Sequence, residues 1–306
     1  MNDILRRLIE ATVTNDTKSA KKLAGQIIDG DTSRANMYFC KRMKNLLQAT
    51  SMNMMELPAN VQGILHMEDV SQSFIPGRYY LTEREDQAAK QVTSMYNAAL
   101  KLAELAIPYL NSLMLYGESG TGKTYFGRYL AHKLGLPFVY MNFANCIDSY
   151  LGSTSKNILK AFEFVEKQKC VFMLDEVDAI GMKRGREDVG EMGRIVISLM
   201  QSLDRIRNDV IIVGATNRID MIDDALLRRF TIKHEVKKFT SEENYEMITQ
   251  FLSDVQIGYE DTDILDYLDG TQKSPANIIN ETIQAIAESI ASGSNFALQK
   301  RAADNV

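Results

Sequence analysis

Short apolar runs alternate with segments of helical periodicity through the middle of the chain. The runs occupy residues 113–116, 138–143, 171–174, 210–213 and 232–236. Short runs rich in Val, Ile and Phe, separated by helical patterns, are typical of buried strands in a parallel sheet. The pattern therefore predicts an α/β domain over residues 67–238, with helices on both sides of an open parallel sheet.

The two ends of the chain have only helical patterns. Residues 1–66 are predicted to form a short helical N-terminal segment, in which one face carries Ile4, Leu5, Leu8 and Ile9. Residues 239–306 are predicted to form a small helical lid. Its third helix starts at Ser274-Pro275, with proline tolerated in the first turn.

The first apolar run leads into a glycine-rich loop that opens a helical pattern. This strand–loop–helix context predicts a phosphate-binding loop, in which backbone N–H groups and the helix N-terminus surround phosphate oxygens. Lys123 is expected to reach the β- and γ-phosphates of ATP, and the Thr124 hydroxyl to ligate Mg²⁺. The predicted nucleotide-binding residues here are Gly117, Glu118, Ser119, Gly120, Thr121, Gly122, Lys123, Thr124 and Tyr125.

The run at residues 171–174 is followed directly by two carboxylates, Asp175 and Glu176. An acidic pair at a strand end also occurs as a solvated strand terminus. After a phosphate-binding loop, however, it favours catalysis. Asp175 would then hold the magnesium shell and count among the metal ligands and nucleotide-binding residues, while Glu176 would orient the attacking water.

Two further polar features follow the run at residues 210–213. Asn217 is predicted to sense the γ-phosphate through its side-chain amide, although such an asparagine is often a turn residue. Arg228 and Arg229 precede Phe230. They resemble arginine fingers, which complete a neighbouring subunit's site. The alternative is a helix C-terminus that attracts cations.

Composition and charge fit a soluble globular protein of 306 residues, with 45% hydrophobic and 25% charged residues. The net charge of −5 gives no whole-chain reason to expect nucleic acid. Residues 1–50, however, carry nine basic and five acidic residues, a net +4. There is no signal-peptide pattern and no run of membrane-spanning length. Three unpatterned cysteines favour a reducing, cytoplasmic location.

The order GESGTGKT, VFMLDEVDAIG and IIVGATNRIDMIDDALLRRF resembles the AAA family of ATPases over roughly residues 75–290. The short form of the last motif is similar to spastin and katanin, and to bacterial stand-alone AAA ATPases with a helical N-terminal segment. The resemblance implies a ring, commonly a hexamer, in which ATP hydrolysis remodels a protein threaded through the centre. In bacteria it also implies a protease as a possible partner.

The resemblance also places a first pore loop at Tyr150, Leu151 and Gly152, where an aromatic residue would grip an extended polypeptide. Local packing of Tyr150 is the alternative. Lys183, Arg184 and Arg186 fall where a second pore loop would lie. The start of the lid helix, Ser274–Asn277, lacks the arginine that many related ATPases use as a second sensor.

The favoured function is a ring-forming ATPase that unfolds, disassembles or regulates a protein partner held by the N-terminal segment and the pore. One alternative is a DNA-associated loader or regulator, supported by the charge of +4 on residues 1–50. A second alternative is a scaffold that is switched by binding ATP and hydrolyses it only very slowly. The intact Glu176 argues against this alternative.

Overall fold

The computed structural model describes residues 3–13, 17–30, 36, 40, 57–107, 109–147, 154–180, 191–206 and 209–298. These residues group into two compact units, Met1–Asn53 and Met54–Val306. In the first unit, two amphipathic helices pack against each other, α1 (Asp3–Val13) and α2 (Thr17–Gly30).

The second unit contains a six-stranded sheet. Its strands are β1 (His66–Glu68), β2 (Asn111–Tyr116), β3 (Phe138–Asn142), β4 (Val171–Asp175), β5 (Ile211–Thr216) and β6 (Ile232–Glu235). The spatial order is β1-β3-β4-β5-β2-β6. All described pairings are parallel except that of β1, which runs antiparallel to β3 at one edge.

Ten described helices belong to the second unit. They are α3 (Val70–Ser73), α4 (Glu83–Glu104), α5 (Lys123–Leu134), α6 (Phe143–Ile147), α7 (Thr154–Val165), α8 (Glu191–Leu203), α9 (Asp224–Leu227), α10 (Ser241–Asp254), α11 (Asp261–Leu268) and α12 (Pro275–Ser292). This architecture confirms the predicted α/β class, with helices on both sides of a largely parallel sheet.

Alternating side chains of the central strands enter two separate cores. On one face, Phe172 and Ile212 pack with residues of α7 and α8. On the other face, Met173 and Val213 pack with residues of α4 and α5, such as Phe126. Both faces are apolar because helices cover both of them, which explains why these strands appear in the sequence as continuous apolar runs.

The segment before the predicted α/β domain also contributes to its core. Val61 and Leu65 are fully or almost fully buried in the same cluster as Phe172. The N-terminal unit of the structure accordingly ends before residue 57, and α10 to α12 form a third core around Ile248 and Tyr267. The boundaries predicted at residues 66 and 238 stay predictions.

Strong local signals begin and end the helices that frame the site. Thr82 and Glu85 form a capping box at the start of α4, and Thr240 and Glu243 form another at α10. Gly135 ends α5 in the left-handed conformation that glycine adopts easily. Within the described part of the chain, no helix is long and apolar enough to cross a membrane.

Candidate active site

The loop between β2 and α5 bends sharply at three glycines. Gly117, Gly120 and Gly122 have φ angles of 147°, 77° and 101°, which other residues rarely adopt. A Cβ atom on Gly117 would lie 2.2 Å from the carbonyl oxygen of Val236. Thr121 closes the loop by donating a hydrogen bond to the carbonyl of Glu118 at 2.9 Å. The conformation is therefore specific to glycine and opens directly onto a helix N-terminus, as an anion site requires.

Lys123 lies at the first position of α5 and is 8% exposed. Its Nζ donates to the carbonyls of Gly117 and Glu118 at 2.9 and 2.7 Å, and to Oδ1 of Asn217 at 2.7 Å. Burial lowers the pKa of Lys123, while the charges of Asp175 and Asp178 act in the opposite direction. The ammonium group is therefore held inside the curve of the loop, where phosphate oxygens would replace these neutral acceptors.

Thr124 and Asp175 meet across the gap between α5 and β4. The threonine Oγ1 donates to Oδ2 of the aspartate at 2.9 Å. No group of three or more His, Cys, Asp or Glu side chains among the described residues is placed to hold a metal. A hydroxyl and one carboxylate nonetheless fit Mg²⁺, which is commonly held by one or two carboxylates together with phosphate oxygens and water.

Glu176 has an unusual backbone. Its φ and ψ of 55° and 46° place a non-glycine residue in the left-handed region, a conformation that costs about 1–3 kcal/mol and is concentrated at functional sites. Its N–H donates to Oδ1 of Asp175 at 2.9 Å. This strained turn at the end of β4 sets the position of the second carboxylate beside the first.

Asn217 follows β5, whose last residue lies beside the last residue of β2. Its amide oxygen accepts a hydrogen bond from Lys123, so the candidate sensor contacts the lysine that is predicted to bind phosphate. The preceding Thr216 donates to Oδ1 of Asp178 at 2.8 Å and accepts from the N–H of Arg218 at 2.9 Å. These bonds link the carboxyl end of β5 to the segment that follows Glu176.

The lid helix α12 begins against the phosphate-binding loop. The N–H of Ala276 donates to the carbonyl of Gly120 at 3.1 Å. A Cβ atom on Gly120 would lie 2.6 Å from Oγ of Ser274. Lys238, in the segment that leads to α10, forms an ion pair with Glu118 at 2.6 Å. Glycine at position 120 therefore serves the contact with the lid as well as the bend of the loop.

Tyr125 projects from the first turn of α5 and is 46% exposed. Its ring stacks on Tyr79 with centroids 5.8 Å apart, and the Arg128 guanidinium lies 5.3 Å from its centroid. Tyr125 therefore belongs to an aromatic surface beside the loop.

The two arginines lie at the opposite end of β2 from the loop. The carbonyl of Arg229 accepts from Oγ of Ser112 at 2.8 Å, and Thr231 N–H donates to the same hydroxyl at 3.0 Å. Gly117 lies five residue steps along the chain from Ser112, which corresponds to about 16 Å in a strand. The arginine segment is thus fixed to the sheet, far from the phosphate-binding loop of its own chain.

Within that segment the two side chains differ. Arg229 makes two hydrogen bonds of 2.9 Å to the carboxylate of Asp204 and donates to the carbonyl of Ala225 at 2.8 Å. Arg228 is exposed and makes no side-chain hydrogen bond or ion pair to any residue that the structure describes. The Arg229 side chain is thus bound at the end of α9, whereas the Arg228 side chain has no such partner among the described residues.

The structure brings most of the predicted residues together, but not all of them are described. The pore-loop candidates Tyr150, Leu151 and Gly152 lie outside the described residues, as do Lys183, Arg184 and Arg186. Two residues that contact the predicted site residues were not predicted from the sequence, Asp204 and Tyr140. Asp204 belongs to no motif. The only sequence signal for Tyr140 is its place near the carboxyl end of a strand, two residues before the polar Asn142.

Comparison with known proteins agrees with this geometry. Residues 113–238 match the family described as ATPase family associated with various cellular activities (AAA). The chain is 28% identical over 221 residues to AAA family ATPase y4kL of Sinorhizobium fredii, which covers 69% of this chain and 66% of that protein.

Two other relatives have names that indicate their roles. Proteasome-activating nucleotidase 1 of Haloferax volcanii is 30% identical over 203 residues, 64% of this chain and 49% of that protein. ATP-dependent zinc metalloprotease FtsH of Mycoplasma genitalium is 30% identical over 152 residues, 48% of this chain and 22% of that protein. The matched regions thus span no more than 66% of any of these three relatives.

Proposed function

The chain carries an ATP-binding domain of the AAA family of ATPases, which confirms the resemblance drawn from its motifs, and from this premise we propose that it hydrolyses ATP to remodel a protein partner. The observation that carries the proposal is the convergence of Lys123, Thr124, Asp175 and Glu176 at one edge of the sheet. Ligands bind at this carboxyl edge in open α/β sheets.

Each residue of the site has a role in this proposal. Lys123 binds the β- and γ-phosphates, and Thr124 and Asp175 hold magnesium, which neutralises phosphate charge when bound. Glu176 orients the attacking water, and its left-handed backbone at the end of β4 sets where its side chain leaves the main chain. Asn217 accepts a hydrogen bond from Lys123. It therefore responds to whether Lys123 binds a phosphate group.

The active form is an oligomer, commonly a hexameric ring in this family. Arg228 supports this part of the proposal because it is exposed at the amino end of β2, about 16 Å along the strand from its own loop. A neighbouring copy would bring its nucleotide to Arg228, which would stabilise charge in the transition state. We therefore assign the finger role to Arg228 and a positioning role to Arg229, which Asp204 holds.

A protein is the proposed substrate class. The names of two relatives combine a nucleotide-dependent activity with proteolysis, as a proteasome activator and as an ATP-dependent protease. The threading of a polypeptide past Tyr150 and a cytoplasmic location remain part of the same proposal. A protease is a candidate partner.

The N-terminal unit is proposed to dock the protein partner. On α1, Leu5 and Ile9 are 41% and 47% exposed and lie one turn apart, next to the exposed Arg6. Two exposed apolar side chains on one helix face favour a protein contact over the phosphate backbone of DNA, which is bound chiefly through cations. DNA binding that weakens steeply with salt would support the alternative instead.

Mixing two inactive variants tests the proposal. Arg228→Ala and Lys123→Ala should each lack ATP turnover, while their mixture should regain part of it. The Lys123→Ala copy supplies Arg228 to the intact nucleotide site of its neighbour. Lys160→Ala, on the exposed side of α7, is the matched control for loss of a lysine.

Phosphate release and light scattering would be measured on the same samples. A mixture that co-assembles and stays inactive would contradict the shared site. Glu176→Gln should bind ATP without hydrolysing it, and this trapped form is the reagent for capturing the protein partner with and without residues 1–53. Wild-type turnover no faster than that of Glu176→Gln would favour the nucleotide-switched scaffold.

A further inference from the structure

The carboxylate of Asp175 accepts three hydrogen bonds, one of which no sequence motif accounts for. Oδ1 accepts from the N–H of Glu176 at 2.9 Å, and Oδ2 accepts from Thr124 at 2.9 Å. The third donor is the hydroxyl of Tyr140, which lies 3.2 Å from Oδ2. The orientation of this carboxylate is therefore fixed from three sides, by β4, α5 and the neighbouring strand β3.

The position of Tyr140 follows from the sheet. β3 runs parallel to β4, with Asn142 directly opposite Asp175 and Tyr140 two residues earlier on the same face. The side-chain amide of Asn142 donates to the Tyr140 hydroxyl at 3.3 Å. That hydroxyl accepts from Asn142 and donates its single proton to Asp175.

The ring of Tyr140 is held by its neighbours. The residue is half-buried, and its ring centroid lies 6.4 Å from that of Phe138 and 6.5 Å from that of His66. His66 belongs to the antiparallel edge strand β1 and is the residue paired with Tyr140. Packing from two strands thus fixes the phenol, and the phenol in turn fixes the carboxylate.

We propose that Tyr140 is a positioning residue of the magnesium site, which holds Asp175 in the orientation that the ion requires. The proposal rests on the proposed ATPase function. Groups that hydrogen-bond a metal-binding side chain hold its orientation and tune the site. Without the Tyr140 hydroxyl, Oδ2 would keep Thr124 as its one described donor. The carboxylate would then be held less firmly about its terminal torsion, which is broad by itself.

Tyr140→Phe tests the proposal because it removes the hydroxyl and keeps the ring. The affinity of Mn²⁺ for the protein with ADP bound would be measured by electron paramagnetic resonance. It should fall about tenfold, the lower end of the effect of losing such a partner. The affinity for ADP in EDTA should not change, because Tyr140 contacts neither the loop nor Lys123 in the described structure.

Tyr245→Phe is the matched control. The Tyr245 hydroxyl donates to Oδ1 of Asp261 at 2.7 Å, within the lid. This variant loses the same kind of bond between tyrosine and aspartate, so it should keep wild-type affinity for Mn²⁺. A similar loss in both variants would show a general effect of removing a phenol and would overturn the proposal.

The remaining outcomes separate the two proposals. Wild-type protein that binds neither ADP nor Mn²⁺–ADP would overturn the proposed function. Wild-type protein that binds both, with Tyr140→Phe binding Mn²⁺ equally well, would overturn the positioning role alone. Thermal unfolding in EDTA completes the test. A variant that melts earlier but keeps its affinity for Mn²⁺ at low temperature shows that the hydroxyl serves only the fold.

Discussion

The two ends of strand β2 carry different kinds of site. At its carboxyl end, the glycine-rich loop, Lys123 and Asp175 are tied together by hydrogen bonds within one chain. At its amino end, Ser112 holds the arginine segment through the carbonyl of Arg229, but the Arg228 side chain makes no hydrogen bond or ion pair among the described residues. The groups at the first end are joined to one another within one chain, whereas the second end presents an exposed arginine, which is what a residue acting on a neighbouring copy requires.

The largest expected effect, on ATP turnover, distinguishes the two arginines near the amino end of β2. Arg228→Ala should lower turnover by about 10³-fold, because it removes the proposed finger. The free energy of unfolding should not change, since the exposed side chain of Arg228 makes no hydrogen bond or ion pair among the described residues. Phosphate release and urea unfolding measure the two quantities.

Arg229→Ala is the paired variant. It should lower turnover and also reduce stability, by up to about 1 kcal/mol, because it removes the ion pair with Asp204. Equal loss of stability in both variants would remove the distinction between a free finger and a held neighbour.

The next effect concerns the carboxyl end alone. Lys123→Ala should weaken ATP binding about 10²-fold or more, because hydrogen bonds between charged groups contribute about 1.5–3 kcal/mol each. Titration of a fluorescent ATP analogue measures this, with Lys160→Ala as the control. Undiminished affinity would mean that the loop does not bind phosphate.

A smaller effect is expected from Ser112→Ala, which loosens the amino end without touching the loop. The variant leaves the N–H of Thr231 and the carbonyl of Arg229 without their shared partner. The cost should be about 1–3 kcal/mol of unfolding free energy. Turnover should also fall, whereas affinity for nucleotide should be kept.

Ser202→Ala is the matched control for Ser112→Ala. It also removes a buried serine hydroxyl, but one whose hydrogen bond among the described residues stays within its own helix, to the carbonyl of Ser198 at 2.8 Å. A loss of nucleotide affinity in Ser112→Ala would show that the two ends of β2 are coupled rather than independent.

The smallest effect concerns pH and the edge strand β6, which lies beside β2 along most of its length. Burial, with a smaller contribution from Arg84, lowers the pKa of His234 below 6.5. As pH falls past that value, the unfolded chain binds a proton before the folded chain does. Stability is therefore full above pH 6.5 and declines as the solution becomes acidic.

His234→Phe should reduce this decline, because phenylalanine keeps an aromatic ring beside Phe126, which lies 6.0 Å from His234. Urea unfolding at about pH 7.5 and about pH 5.5, on either side of the ordinary histidine pKa, measures the difference. The same decline in both proteins would assign the acid sensitivity to other groups.

The site was predictable where local sequence carries the chemistry. Gly117 to Thr124 and the pair Asp175-Glu176 follow apolar runs, and the carboxyl ends of parallel strands meet at one edge. The antiparallel strand β1 was missed because three residues, His66–Glu68, carry too short a pattern. Asp204 was missed because its partner Arg229 lies 25 residues away.

By itself, the sequence determined the class of fold, the phosphate-binding loop and the carboxylate pair, since these depend on contiguous residues and on strand order. Only the tertiary structure decided which arginine side chain is held and which has no hydrogen-bond partner among the described residues. It also placed Tyr140 against Asp175 and the lid against Gly120. These contacts join residues of different elements, and only the packing of those elements brings side chains so far apart in sequence within hydrogen-bonding distance.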